Sequence, residues 1–460
     1  MNAIVRLTRF FLRGVGGRIA LAFALAASAV HAESPSSAPA GCPRHVILVS
    51  IDTLRADHLG CYGYGRPTSP TIDRLAARGI RFLDASAPSS WTLPSHASLL
   101  TGLYPRRHGV RHSGSALPGG VVTLAERLTE RGFATVAVVN SYFLKQRFRL
   151  NQGFGEYVNV HDNQSRTAAA DRVDDRALEM LAGLGDQRLF LFVHFFDVHS
   201  HYHSQPHFEQ LFVEPYDGIV DGGTKQLLQF CKKRITLGEP DLRQLKALYD
   251  GGIRQLDATL DRLFKALRMR GLLDDALIII TSDHGEEFGE HGSFLHGRTQ
   301  YQEVLHVPLI MLGPGIPANT TAEGMASLTD VAPTVLAWLG LPVPTDLDGV
   351  DLRPRRQSPR RPPSNRILYA EGVYNAPPAW AVREGPIKLH YSLRDKKGRL
   401  FDLASDPGEQ VDLSAKRPET YQRLFDAWQA FAKAEREGDP LPKPPKKDLK
   451  RLEQLGYLDD

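Results

Sequence analysis

Cysteine is scarce in this sequence, with 3 in a chain of 460 residues. A small fold held together by disulfides is therefore excluded. Intrinsic disorder is excluded too, because 42% of the residues are apolar and only 23% charged, enough to build a sizeable core. A surplus of one charge is also missing. The formal charge is +4, but Arg6, Arg9, Arg13 and Arg18 lie ahead of the first acidic residue, Glu33, and without them basic and acidic residues balance. A nucleic-acid binder needs a basic surplus on its folded surface. No nucleic-acid partner is expected, and no stable protein partner is evident. The one long apolar run, residues 19–30, is too short to span a bilayer comfortably. The length suits two or three domains, or one large α/β unit with an appendage.

The Arg-bearing start, the apolar run and the small-residue stop Val30-His31-Ala32 read as a signal peptide over 1–32, so the chain is expected to be exported, periplasmic or secreted. An uncleaved membrane anchor is the alternative. Pro39 stands where a lipoprotein box ahead of Cys42 wants an aliphatic residue, so lipidation is not expected. Export permits disulfides. With Cys42, Cys61 and Cys231 the count is odd, which leaves at least one thiol without an intramolecular partner; Cys42 and Cys61 flank a predicted strand and are placed to pair.

After a Ser/Pro/Ala linker over 33–43, near-continuous apolar runs occur at 46–50, 135–139, 189–195 and 276–281. Runs that do not alternate suit parallel strands buried on both faces. Helical stretches separate them at 69–78, 94–100, 122–131, 171–181 and 242–267. The alternation predicts an α/β fold with a doubly wound sheet. A strand at 307–312 and a helix at 328–339 close a domain over 44–350. A basic, Pro-broken linker over 351–366 leads to a small C-terminal α+β subdomain over 367–437, which must pack on the first domain to bury a core. The Lys-rich tail, 438–460, reads as a solvated segment.

In open α/β sheets, ligands bind beyond the carboxyl ends of the strands. Here those ends are acidic and rich in histidine: Asp52 follows the first strand, Asp283-His284 follows Thr281-Ser282, and His194-Phe195-Phe196-Asp197-Val198-His199-Ser200-His201 closes the run from 189. Carboxylates gathered at one sheet edge repel unless a cation sits between them, which points to a divalent metal. One imidazole among the donors tilts the expectation toward zinc or manganese over calcium or magnesium. Asp197 and His201, four residues apart, are candidates for a second metal.

Between the first two strands, Pro94 opens a helix that Gly102 ends, and Thr92 stands just before its first turn. Thr92 and Ser95 either cap that helix, or Thr92 presents its hydroxyl at a helix N-terminus, where free N–H groups stabilise an anion. Beside a divalent metal such a hydroxyl loses its proton more easily and becomes a nucleophile toward a phosphorus or sulfur ester.

In order and spacing, Ile51-Asp52-Thr53-Leu54-Arg55-Ala56-Asp57-His58-Leu59-Gly60-Cys61-Tyr62-Gly63, Ala97-Ser98-Leu99-Leu100-Thr101-Gly102, Tyr249-Asp250-Gly251-Gly252-Ile253-Arg254, Thr281-Ser282-Asp283-His284-Gly285-Glu286 and Leu400-Phe401-Asp402-Leu403-Ala404-Ser405-Asp406-Pro407-Gly408-Glu409 resemble the sulfatase family of the sulfatase/alkaline phosphatase superfamily. The resemblance implies an alkaline-phosphatase-like fold and a metal held by Asp52, Asp283 and His284, with Thr92 beside it at the nucleophile position. It implies that His199 contacts the substrate. The run from Asp283 to Gly297 further resembles phosphoethanolamine transferases and lipoteichoic acid synthases, which use a threonine nucleophile, and implies that His296 contacts the phosphoryl group.

There are departures. Ordinary sulfatases carry Cys or Ser, oxidised to formylglycine, in a Cys/Ser-x-Pro-Ser-Arg motif, where this sequence has Thr92-Leu93-Pro94-Ser95-His96. Threonine cannot yield that aldehyde, so no formylglycine is expected. Thr53 replaces a second Asp, and the family's Lys and His after Gly132-Phe133-Ala134-Thr135 are missing. The expected activity is hydrolysis of a small-molecule, glycan or lipid ester through Thr92, phosphate mono- and diesters ahead of sulfates. His199, His296 and His96 would stabilise oxygens or protonate the leaving group. A phospho-headgroup transferase and a non-catalytic relative are the alternatives. His58, His108 and His112 read as turn or surface residues, and substrate identity is expected to lie in the 202–240 insertion and the terminal subdomain.

Overall fold

Runs of apolar residues without alternation have no face to turn to water, and they become the middle of a sheet. The computed structural model describes residues 41–161, 169–183, 185–232, 234–353, 366–372, 374 and 378–454. The expected signal peptide, most of the 33–43 linker and most of the 351–366 linker lie outside them. Strands β1 (His45–Ile51), β2 (Ile80–Ser86), β3 (Ala134–Val139), β4 (Glu156–Asn159), β5 (Leu189–Phe195), β6 (Ala276–Ser282), β7 (His306–Leu312) and β8 (Thr320–Ser327) form one sheet in the order β8-β2-β7-β6-β1-β5-β3-β4. Every residue of β1, β5 and β6 is buried. β7 runs antiparallel to both its neighbours; the other pairings are parallel.

Successive residues of a strand point to opposite faces. Val46, Leu48, Phe190 and Phe192 accordingly join one apolar cluster, with Leu99 of helix α1 (Thr92–Thr101) and Val335 of α4 (Val331–Trp338). Ile47, Val49, Leu191 and Val193 join the other, under α2 (Ala169–Leu181) and α3 (Glu239–Met269). The sheet is thus covered on both sides, as a doubly wound fold requires. Ile51 lies opposite Phe195 on one neighbour and Ser282 on the other, so β1, β5 and β6 end level at one edge.

Strands β9 (Ile367–Glu371), β10 (Ala379–Glu384), β11 (Ile387–Ser392) and β12 (Lys397–Asp402) form an antiparallel sheet. Helix α5 (Pro418–Ala432) covers it, with Leu424 and Trp428 against Trp380, Val382 and Leu400. This subdomain docks through Arg383, whose guanidinium holds both oxygens of Asp84 at 2.6 Å, and through the buried pair Lys388 and Glu409, 2.9 Å apart. The other Glu409 oxygen accepts the Gln302 N–H at 2.6 Å.

Several expectations are corrected. The tail is not a solvated segment: Asp439–Pro440 pairs antiparallel with Ser115–Ala116, and α6 (Lys446–Gln454) buries Leu452 in the larger cluster. Its lysines hide an amphipathic helix, and backbone pairing needs no apolar residue. Cys42, Cys61 and Cys231 are all free thiols, so Cys42 and Cys61 do not pair. His58 and His108 are buried, His58 against Asp250 at 2.8 Å. Among the described residues no helix is long and apolar enough to cross a membrane.

Candidate active site

The level ends of β1 and β6 put Asp52 and Asp283 side by side, the first residues after Ile51 and Ser282. Hydroxyls fix the two turns. Ser282 Oγ accepts from Leu54 N at 2.9 Å and donates to the His284 carbonyl at 2.6 Å, while Ser95 Oγ donates to the Asp283 carbonyl at 2.6 Å. The last bond ties α1 to the strand ends. Trp91 takes the N-cap position without a side-chain cap, and Thr92 is the first helical residue. Its hydroxyl is turned to the acids and not to its own helix: Oγ1 lies 3.4 Å from Asp52 Oδ2 and 3.5 Å from His284 Nε2. His284 Nδ1 donates to the Gly285 carbonyl at 2.9 Å, which leaves Nε2 as the nitrogen facing the acids.

Asp52, Thr92, Asp283 and His284 are fully buried. Asp52 Oδ1 and Asp283 Oδ2 have no hydrogen-bond partner among the described residues. Burial pushes both carboxyls up to about 7, the second helped by the first, and burial lowers His284 to about 4. Ligand atoms of Asp52, Asp283 and His284 lie within 4.8 Å of one another, with His284 Nε2 3.6 Å from Asp52 Oδ1 and 3.4 Å from Asp283 Oδ2. Two unpartnered carboxylate oxygens, one imidazole and a hydroxyl at such spacing fit a divalent cation. A cation there would offset the desolvation of both acids.

His199 and His296 come to the same place from β5 and from the loop after β6. The His296 ring lies 4.5 Å from that of His284 and 4.7 Å from that of His199, which stacks on Phe196 at 4.1 Å. His96 does not join them. One turn into α1, it faces inward under the cluster, with Nδ1 donating to the Thr92 carbonyl at 2.9 Å and Nε2 3.0 Å from Ser50 Oγ. It lies beneath the site, where β1 passes under that turn, with Nδ1 also 3.4 Å from Asp283 Oδ2. Among the described residues, Asp197 and His201 fall in no group of three or more metal-capable side chains. Asp197 is buried and accepts the Ala170 N–H at 2.9 Å at the start of α2, where a helix N-terminus favours an anion. His201 is exposed, with its ring 4.6 Å from that of His203.

Two further residues belong to the site. His194 of β5 is fully buried with neither ring nitrogen hydrogen-bonded among the described residues, and Nε2 lies 3.4 Å from Asp52 Oδ2. With His96 and Asp283 it makes a second group of metal-capable atoms. A lone polar residue in an otherwise apolar strand was the available signal. Glu286 is fully buried, with Oε1 2.8 Å from His296 Nδ1. Burial pushes its carboxyl up to about 8, opposed by the Tyr202 hydroxyl and His284.

The sequence profile of the sulfatase family matches residues 44–341, and that of the C-terminal part of N-sulphoglucosamine sulphohydrolase matches 289–430. The chain is 27% identical to human arylsulfatase A over 458 residues, covering 83% of this chain and 86% of that protein. It is 23% identical to an N-acetylglucosamine-6-O-sulfatase of Bacteroides thetaiotaomicron over 466 residues, covering 81% and 83%. In fold it is similar to a protein solved with its substrate D-glucosamine-2-N,6-O-disulfate, with a TM-score of 0.72, 21% identity, and 85% and 98% of the two chains covered. The phosphonate monoester hydrolase of Agrobacterium radiobacter gives 0.70, 22%, 88% and 100%.

These matches overturn the cofactor expectation. Arylsulfatases depend on formylglycine and hold calcium or magnesium, so neither the exclusion of formylglycine nor the preference for zinc or manganese stands. One imidazole does not outweigh the hard oxygen donors of Asp52, Asp283 and Thr92 in choosing a cation. A match that runs through the sheet, the strand-end acids and the threonine helix alike places this chain in the sulfatase family, among the hydrolases of sulfuric and phosphoric esters.

Proposed function

We propose that the protein cleaves its ester by a two-step displacement at Thr92, with phosphate mono- and diesters preferred to sulfates. The supporting observation is the Thr92 hydroxyl, buried at the start of α1 and 3.4–3.5 Å from Asp52 and His284. In the first step Oγ1 loses its proton to water and bonds to phosphorus as the bond to the leaving oxygen breaks. In the second, water attacks phosphorus, the bond from phosphorus to Oγ1 breaks, and a proton of that water returns to Oγ1. Asp52, Asp283 and His284, with Thr92, would hold a divalent cation, which when bound lowers the pKa of the hydroxyl and draws off charge from the ester oxygens. The start of α1, where Thr92 is the first helical residue, would favour that negative charge. His296 protonates the leaving oxygen and His199 hydrogen-bonds a non-bridging oxygen. The Arg-bearing, apolar N-terminus supports export to the periplasm or medium.

Sulfate ester hydrolysis is the competing reading, favoured by the arylsulfatase relatives. Turnover of aryl phosphates, aryl phosphate diesters and aryl sulfates by the wild-type protein ranks the two. Thr92→Ala should lose roughly a thousandfold or more in kcat on the best of them. Peptide mass spectrometry after an acid quench should find a phosphoryl group on the Thr92 peptide. Full activity of Thr92→Ala would end the nucleophile assignment, and faster sulfate turnover would end the phosphate preference.

A further inference from the structure

Glu286 is held more firmly than a loop residue needs to be. Its N–H donates to the Glu303 carbonyl at 3.1 Å, and Arg55 Nη1 donates to its own carbonyl at 3.0 Å. On one side Gly285 N donates to the Val304 carbonyl at 2.8 Å. Backbone anchored at three consecutive points aims the side chain inward, where Oε1 meets His296 Nδ1 at 2.8 Å in a fully buried contact.

We propose that Glu286 is a positioning residue that fixes which nitrogen of His296 meets the ester. The inference rests on His296 being the group that protonates the leaving oxygen. An imidazole can flip its ring and can carry its proton on either nitrogen. A buried carboxyl bonded to Nδ1 stops the ring flip and settles which nitrogen carries the proton, leaving Nε2 for the ester. In the displacement the Nε2–H bond breaks and an O–H bond forms on the leaving alcohol. Nδ1 stays bonded to Glu286 throughout, and water restores the proton at Nε2. Without Glu286 the ring divides its time between orientations, and only part of the population can donate. The loss therefore falls on kcat and on esters whose leaving group needs a proton.

The test uses the metal-loaded protein with aryl esters from p-nitrophenyl to phenyl, phosphates or sulfates according to which turn over faster. Glu286→Leu should lower kcat on the phenyl ester roughly 10- to 100-fold, with KM unchanged and the p-nitrophenyl ester little affected. Glu286→Gln, which keeps an acceptor oxygen, should fall between Glu286→Leu and wild type. In a His296→Ala background Glu286→Leu should cost nothing further. An equal loss on both esters, or losses that multiply with His296→Ala, overturns the positioning role. If His296→Ala itself shows no dependence on the leaving group, the assignment of His296 falls instead. Should both Glu286 variants fail to fold, 15N NMR of the wild-type histidines still decides: a His296 protonated at Nε2 at neutral pH supports the inference, and one protonated at Nδ1 alone, or a mixture of the two tautomers, overturns it.

Discussion

Thr53 carries backbone strain at the edge of the site. Its φ is +59°, a region that a β-branched residue occupies at a cost of about 1–2 kcal/mol. Three contacts hold it there: Oγ1 donates to the Asp52 carbonyl at 2.7 Å, its carbonyl accepts from Tyr249 Oη at 2.7 Å, and its N–H points to Asp283 Oδ1 at 3.3 Å. The conformation thus aims a donor at one acid while gripping the backbone of the other. Asparagine visits this region at lower cost, so Thr53→Asn should raise stability by about 1 kcal/mol, read from the urea midpoint. A lower midpoint would mean that the threonine contacts outweigh the strain. The acids make a second prediction. A divalent cation that binds only the folded protein should raise unfolding stability by about 2.7 kcal/mol at a hundred times its Kd. Asp283→Asn should abolish that gain, as followed by thermal melts with and without chelator.

At the scale of elements, what the sequence made legible was whatever sits at a boundary. Asp52 and Asp283 each follow a continuous apolar run, and Thr92 precedes a helix opened by Pro94, so position along the chain already gave position in space. His96 and the pair Asp197 and His201 needed direction as well. The four-residue spacing of the pair suggests one helical face, but both lie in the turn after β5. There Asp197 is drawn to the start of α2, and His201, at φ +77°, is turned outward. His194 and Glu286 take their meaning from partners brought from other elements, which no local pattern carries. Gly285 offers a test of the loop that bears two of these residues. A Cβ there would lie 2.0 Å from the Glu303 carbonyl oxygen, so backbone must move. Gly285→Ala should weaken cation binding at least roughly tenfold in calorimetric titration. Unchanged affinity would show that the loop yields freely.

For the whole molecule, two buried groups away from the site report on how its parts cohere. Glu409 joins the terminal subdomain to the catalytic domain through Gln302, and pairs within the subdomain with Lys388. Glu409→Ala strands a buried ammonium, and the expected loss is about 3–5 kcal/mol in urea unfolding; a loss below 1 kcal/mol would mean that water reaches Lys388. His108 accepts the Val110 N–H at Nδ1, and burial lowers its pKa to about 3. Its folded value lies below the unfolded one, so its contribution is full above pH 6.5 and is lost as the pH falls toward 3. His108→Gln should therefore narrow the stability difference between pH 7.5 and pH 5, measured by urea midpoints at each.

The pairing of Asp439–Pro440 with Ser115–Ala116 has a consequence in time. A ribosome makes residues 115–116 long before 439–440, and a nascent chain keeps its newest residues inside the exit tunnel. The edge at Ser115–Ala116 and the surface that receives Leu452 therefore wait uncovered while the sheet, the acids and the subdomain are being made. A holding chaperone that recognises exposed apolar surface would find this strip open until residues 439–452 have emerged, and a chain stalled before residue 438 would keep it open.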